Sequence, residues 1–257
     1  MSLIVLKLIL PPLLILVASL AGRRWGDAIG GWLVGLPLTS GPVAAFLALQ
    51  YGADFAAAAT NGSLVGTAAQ ACFSLGYALF ARKGCVIALL VGTATYAVTG
   101  FLVQLLPLAN WSFFLIALGT LTAAARLIPH HTAIRTVVPA HWWDLPARML
   151  IATTIVLTLT GIATFVGAKT AGVLASFPVF GTILAIFAHR IRGAVMATQV
   201  LRGMVLALYG FATFFFILGL LLTTVGILPA FLAAIATTLL IQMGALRLQG
   251  RWIFMSV

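Results

Sequence analysis

"GLPLTSGP", residues 35–42, places two prolines, two glycines and two hydroxyls within eight residues, inside an apolar run from Gly30 to Gln50. Proline removes a backbone donor and clashes with the preceding turn. The residue before a proline also avoids helical geometry. A helix through this stretch is therefore interrupted, and the meaning of the interruption depends on the medium around it.

Composition defines that medium. Hydrophobic residues make up 63% of the chain and charged residues 7%, whereas soluble domains carry roughly a quarter charged residues. So few charges cannot cover a globular surface. Apolar runs of 18 or more residues are transmembrane helix candidates, and the sequence predicts an all-α polytopic membrane protein. Nine spans are expected, at about 2–21, 30–50, 54–81, 84–106, 110–127, 149–167, 170–189, 194–222 and 226–246. The eighth is long enough that it must tilt, bend or project. The first resembles a signal peptide in Lys7 and in Ser19-Leu20-Ala21, but Pro11-Pro12 interrupt it and Arg23-Arg24 follow it at once. A retained span is expected.

The formal net charge of +11 does not point to nucleic acid, because the basic residues stand singly or in pairs between apolar runs. They obey a different rule. Arg23, Arg24, Arg82, Lys83, Arg126, Arg135, Arg148, Arg190, Arg192, Arg247 and Arg251 fall on one side of a nine-span chain, leaving only Lys7, Lys169 and Arg202 of the 14 basic residues elsewhere. The positive-inside rule makes that side cytoplasmic, with the N-terminus outside and the C-terminus inside. A bacterial inner membrane is the expected location.

An internal repeat gives "GLPLTSGP" a partner. At an offset of 141 residues Pro37 meets Pro178, Gly31 meets Gly172, Phe46 meets Phe187, Gly52 meets Gly193, Gly62 meets Gly203 and Phe73 meets Phe214. About 12 of the 53 gap-free pairs over residues 28–80 are identical, where roughly five are expected by chance. Residues 1–107 and 148–257 then form two repeats of four spans, with 108–147 as connector span and cytoplasmic loop. A shift of five spans reverses orientation, and the basic residues follow: Arg190 and Arg192 correspond to a stretch without any, and Arg82-Lys83 to the uncharged turn around Thr223–Gly226. The expected plan is two inverted-topology repeats, spans 1–4 and 6–9, with span 5 between them.

Inverted repeats are a common plan of secondary transporters, whose sites lie near the midplane where interrupted helices meet. Span seven carries Ser176-Phe177-Pro178-Val179-Phe180-Gly181-Thr182 opposite the span-two stretch. Pro37, Thr39, Ser40, Gly41, Ser176, Pro178, Gly181 and Thr182 are the candidate substrate-binding residues there. Ser40 or Thr39 is the expected N-cap of a half-helix starting near Pro42, whose free amides would suit an anionic group. Span seven, with one proline and one glycine, needs only a kink.

Arg202 lies about ten residues, or ~15 Å, into span eight from Arg192, and the same repeat pairs it with Asn61. Both join the candidate site. Near the midplane a cation costs at least ~2.5–3.5 kcal/mol, so Arg202 should face a cavity, an anionic ligand or backbone carbonyls. The three acids, Asp27, Asp54 and Asp144, fall at loops or span ends, leaving no deep carboxylate for ion coupling. Gln70, Gln104, Gln199 and Gln242 are further cavity-lining or interhelical polar groups.

No catalytic residue, metal site or cofactor is expected. HExxH, GxSxG and phosphate-loop patterns are missing. His130, His131, His141 and Asp144 match no established metal spacing, and Trp142-Trp143 fit an interfacial anchor. Cys72 and Cys85 are expected to be unreactive buried thiols. The chain thus reads as a small carrier for an anionic or carboxylate-bearing solute, and not as an enzyme. Its partners would be the bilayer, the solute and a second copy of the chain. The competing reading is a non-transporting membrane protein such as an assembly subunit, scaffold or lipid-interacting factor.

Overall fold

The computed structural model describes residues 40–129 and 143–254, with Pro37 and positions 5, 8, 9, 12, 13 and 16. Thr39, Arg23-Arg24, the first part of span two and the loop histidines lie outside the described residues. Within them every regular element is helical: α1 Ser40–Tyr51, α2 Ala53–Phe80, a 3-10 turn Ala81–Lys83, α3 Cys85–Gln104, α4 Asn110–Leu127, α5 Asp144–Val166, α6 Ala168–Ala175, α7 Val179–Arg192, α8 Ala194–Leu221 and α9 Ile227–Phe254.

Three of these, Ala53–Lys83, Cys85–Gln104 and Ala194–Leu221, are long and apolar enough to cross a membrane. Large apolar side chains lie on the outside of the bundle: Phe165 is 87% exposed, Leu228 69% and Leu90 64%. In water that surface would be costly. Against lipid tails it is the natural exterior. Together the three helices and this surface support a membrane protein.

The expected seventh span is two helices, α6 and α7, separated by Ser176-Phe177-Pro178. One proline does more than kink here, because Pro178 takes a non-helical conformation (φ −79°, ψ 59°). α1 is described from Ser40, ahead of the expected start near Pro42, and the Gly41 amide already donates to the Pro37 carbonyl at 2.7 Å. Ser40 therefore lies in the first turn and is no N-cap.

α2 is the axis of the bundle. In its most apolar window 78% of residues are buried, against 56% in α8 and 22% in α3. Its neighbours are α3, α6, α8, α4 and α1. Small residues let α6 approach it closely: a Cβ on Gly62 would collide with the Lys169 carbonyl, and one on Gly172 with the Ala59 carbonyl. Lipid provides no hydrophobic drive between helices, so close backbone packing of this kind must carry the association.

Three of the helix-to-helix connections among the described residues are single glycines. Gly52 (φ 90°, ψ 168°) joins α1 to α2, Gly167 (φ 79°, ψ 156°) joins α5 to α6, and Gly193 (φ 83°, ψ 179°) joins α7 to α8. This region of backbone space is essentially reserved for glycine. Gly52 and Gly193 stand 141 residues apart in the sequence, and the helices they open, α2 and α8, are each 28 residues long.

Gly62→Ala and Gly172→Ala should each destabilise the bundle by about 1–3 kcal/mol, the usual cost of overpacking. Gly161→Ala, with nothing within 4 Å of the added Cβ, should not. Thermal unfolding of the purified variants in detergent checks this, and equal melting temperatures for all three would contradict the α2–α6 contact.

Candidate functional site

The break between α6 and α7 is the natural centre of any site. A helix that ends inside a membrane leaves its last four carbonyls without intrahelical partners, and hydrocarbon offers none. Each of the four is accounted for. Gly172 O accepts from the Ser176 hydroxyl at 2.9 Å and from Ser63 Oγ at 3.5 Å. Val173 O accepts from the Tyr96 phenol at 2.6 Å and from the Ser176 amide at 3.0 Å. Leu174 O takes the Phe177 amide at 3.2 Å. Ala175 O takes Ser40 Oγ at 2.7 Å. Three of these donors come from other helices: Ser40 from α1, Ser63 from α2 and Tyr96 from α3.

Phe177 fixes the break sterically, with its ring edge-on to Phe73 at 6.2 Å and to Tyr96 at 5.1 Å. On the far side α7 restarts at Val179, and the Thr182 amide donates to the Pro178 carbonyl at 2.8 Å. The first-turn amides before it have no intrahelical acceptor. Thr182 Oγ1 lies beside them, buried and without a hydrogen-bond partner. Gly181 is pressed against the Met204 thioether of α8. Along α6 the break lies roughly 12 Å from Lys169.

Ser40, Ser176, Pro178, Gly181 and Thr182 are thus gathered at or beside this break. Ser40 and Gly41 open α1, with Pro37 packed on Gly41 at 3.6 Å from its built Cβ. Thr39 lies outside the described residues. Ser40 holds the Ala175 carbonyl of α6 instead of capping its own helix.

Arg202 and Asn61 belong elsewhere. Arg202 Nη1 donates to the carbonyls of Ala125 and Ile128 at 2.9 Å each, capping the C-terminal end of α4. At the other end of α4, Asn110 Nδ2 donates to the Phe216 carbonyl at 3.3 Å. From Arg202 to Phe216 is about 21 Å along α8, close to the length of α4 itself. The first two turns of α8 therefore extend past the end of α4, and Arg202 sits level with that end instead of midway down the bundle. Counting inward from Arg192 overestimated its depth because α8 overhangs its neighbour. Asn61 follows Thr60, which meets Asn110 at Gly219, so it lies toward the opposite end of α4, with Oδ1 buried and unpartnered. Arg202 and Asn61 thus lie toward opposite ends of α4.

Tyr96, Ser63 and Lys169 escaped the sequence reading. Tyr96 had a usable signal, since a phenol deep in an apolar span needs an acceptor. Lys169 Nζ donates to the Gln104 carbonyl at 2.6 Å and the Leu106 carbonyl at 3.2 Å, capping the end of α3. At the other end of the bundle the Tyr77 hydroxyl lies 3.1 Å from His189 Nδ1 and 3.5 Å from Cys85 Sγ. Both cysteines are free and half-buried. Gln199 Nε2 and both polar atoms of the Gln242 amide are buried without partners. No family model, curated protein or solved structure matches this chain.

Ser40→Ala and Tyr96→Phe each remove a donor from the α6 end and should each cost about 1 kcal/mol. Arg202→Gln should cost about 2 kcal/mol through its two charge-assisted bonds. Chemical unfolding in detergent reads all three. Wild-type stability in Arg202→Gln would exclude the capping role.

Proposed function

We propose that the chain is a small secondary transporter. It moves a small anionic or carboxylate-bearing solute by alternating access between two inverted-topology repeats, spans 1–4 and 6–9. The observation that carries this reading is the Ser40–Ala175 hydrogen bond. It ties the proline-rich stretch of span two to the break between α6 and α7, the two places that the proposed repeat pairs. Two further features support the repeat: the equal lengths of α2 and α8 at an offset of 141 residues, and the matching glycine hinges at 52 and 193.

Beside that contact lie the first-turn amides of α7 and the unpartnered Thr182 hydroxyl. Such a helix start favours negative charge, which is why the solute class is anionic. Arg202 serves this reading as a clamp on α4, and the solute site consists of Pro37, Thr39, Ser40, Gly41, Ser176, Pro178, Gly181 and Thr182. In the membrane, the end bearing Arg82, Lys83, Arg126 and Arg190 faces the cytoplasm. No step requires a cofactor or metal.

One observation favours the non-transporting alternative: every carbonyl at the end of α6 is already satisfied, as a purely structural break requires. Thiol accessibility separates the two. In a Cys72→Ser, Cys85→Ser background, Ser40→Cys and Thr182→Cys should react with a membrane-impermeant maleimide from one face of the membrane, whereas Ala68→Cys, fully buried in α2, should stay unmodified. If positions 40 and 182 are as inert as 68 from both faces, the carrier reading is wrong.

A further inference from the structure

An open cavity of about 300 Å³ runs along the outside of the bundle between α3 and α6. Its walls include Tyr96, Ala97, Gly100, Phe101, Val173 and Phe177. Ligand cavities begin at about this size and are lined mainly by apolar side chains. Nothing in the carrier scheme uses it, and Phe101 on its wall is 59% exposed.

Its length and its ends say what would fill it. Along α3 it extends from Thr93 to Gln104, roughly 16 Å at 1.5 Å per residue, about half of a ~30 Å hydrocarbon slab. One end is closed by Phe177 at the α6–α7 break. The other end is at Gln104, and Trp111, just beyond the turn that follows, is 58% exposed at the start of α4; exposed tryptophan of this kind suits the headgroup region. The cavity is thus about as long as one leaflet is deep.

Lys169 adjoins that end, since its ammonium holds the carbonyl of Gln104, the last α3 residue on the cavity wall. Its ammonium has three donors. Two hold the Gln104 and Leu106 carbonyls, and the face of Phe113 lies 4.5 Å away. The third donor and the positive charge remain for an anion. Asp54, the acid of the α2 first turn, is eight residues before Gly62, which packs on the Lys169 backbone. It thus lies about 12 Å farther out along α2.

We propose that this groove is a binding site for one anionic glycerophospholipid: an acyl chain lies along α3 and α6 down to Phe177, and the headgroup phosphate meets Lys169. The apolar wall holds the chain, and the single cation chooses the headgroup. The site is independent of the transport reading.

The test uses the purified full-length chain in nanodiscs of equal parts palmitoyl-oleoyl phosphatidylglycerol and phosphatidylcholine, with co-released lipid read by native mass spectrometry. One phosphatidylglycerol should be retained in preference to phosphatidylcholine. Lys169→Gln should lower that preference about fivefold, the effect of one basic residue near the surface. Lys83→Gln, at the opposite end of the bundle, should leave it unchanged. Ala97→Phe fills the groove from its exposed side and should reduce retention of both lipids. A photoreactive benzophenone in place of Phe101 gives a second reading that does not depend on how Ala97→Phe folds: its adduct should be phosphatidylglycerol. Equal retention of the two lipids, equal effects of Lys169→Gln and Lys83→Gln, or an adduct with a second copy of the chain would each overturn the proposal.

Discussion

The structure turns on four carbonyl oxygens. A helix that stops in hydrocarbon exposes the ends of its hydrogen-bond ladder where no water can reach them. Gly172, Val173, Leu174 and Ala175 are such ends, and the donors that meet them come from α1, α2, α3 and the turn itself. An isolated α6 could not exist in the bilayer. Its eight residues are stable only because three other helices arrive at one point with a hydroxyl. The break is consequently a constraint on the whole bundle.

Such an arrangement requires close backbones. A serine hydroxyl reaches only a short distance from its Cα, so Ser63 and Ser40 can serve α6 only if α1 and α2 nearly touch it. Gly62 and Gly172 permit that approach by leaving out the Cβ that would otherwise strike a carbonyl. Glycine at 52 permits the reversal between α1 and α2 without a loop, through a backbone conformation closed to other residues. Packing and hydrogen bonding are therefore one device. The glycines bring the chains together, and the hydroxyls satisfy what the interruption leaves bare.

Much of this was legible in the sequence. Hydropathy alone located Ala53–Phe80, Cys85–Gln104, Asn110–Leu127 and Ala194–Leu221 within about two residues, because in lipid a span must be long, apolar and bounded by polar turns. α8 was expected at 194–222 and is found at Ala194–Leu221. The full break in span seven went beyond the kink that one proline and one glycine led us to expect. What escaped was side-chain partnership across helices. Nothing local says that Ser40 will serve Ala175 instead of its own helix, because that choice depends on a neighbour 135 residues away. The depth of Arg202 escaped for a related reason. Counting residues from a charged loop assumes that the helix starts at the membrane surface, and α8 starts beyond the end of α4.

Arg202 and Lys169 also explain why the charge count had exceptions. The positive-inside rule concerns basic residues in loops, where they remain hydrated. A basic residue held by the carbonyls at a helix end is under a different constraint, since those carbonyls carry the negative end of the helix dipole. Lys169 holds the end of α3 and Arg202 the end of α4. Each therefore has a partner that depends on position and not on side. Two of the three basic residues that the loop count could not place are thus capping cations. These two cations mark where neighbouring helices end.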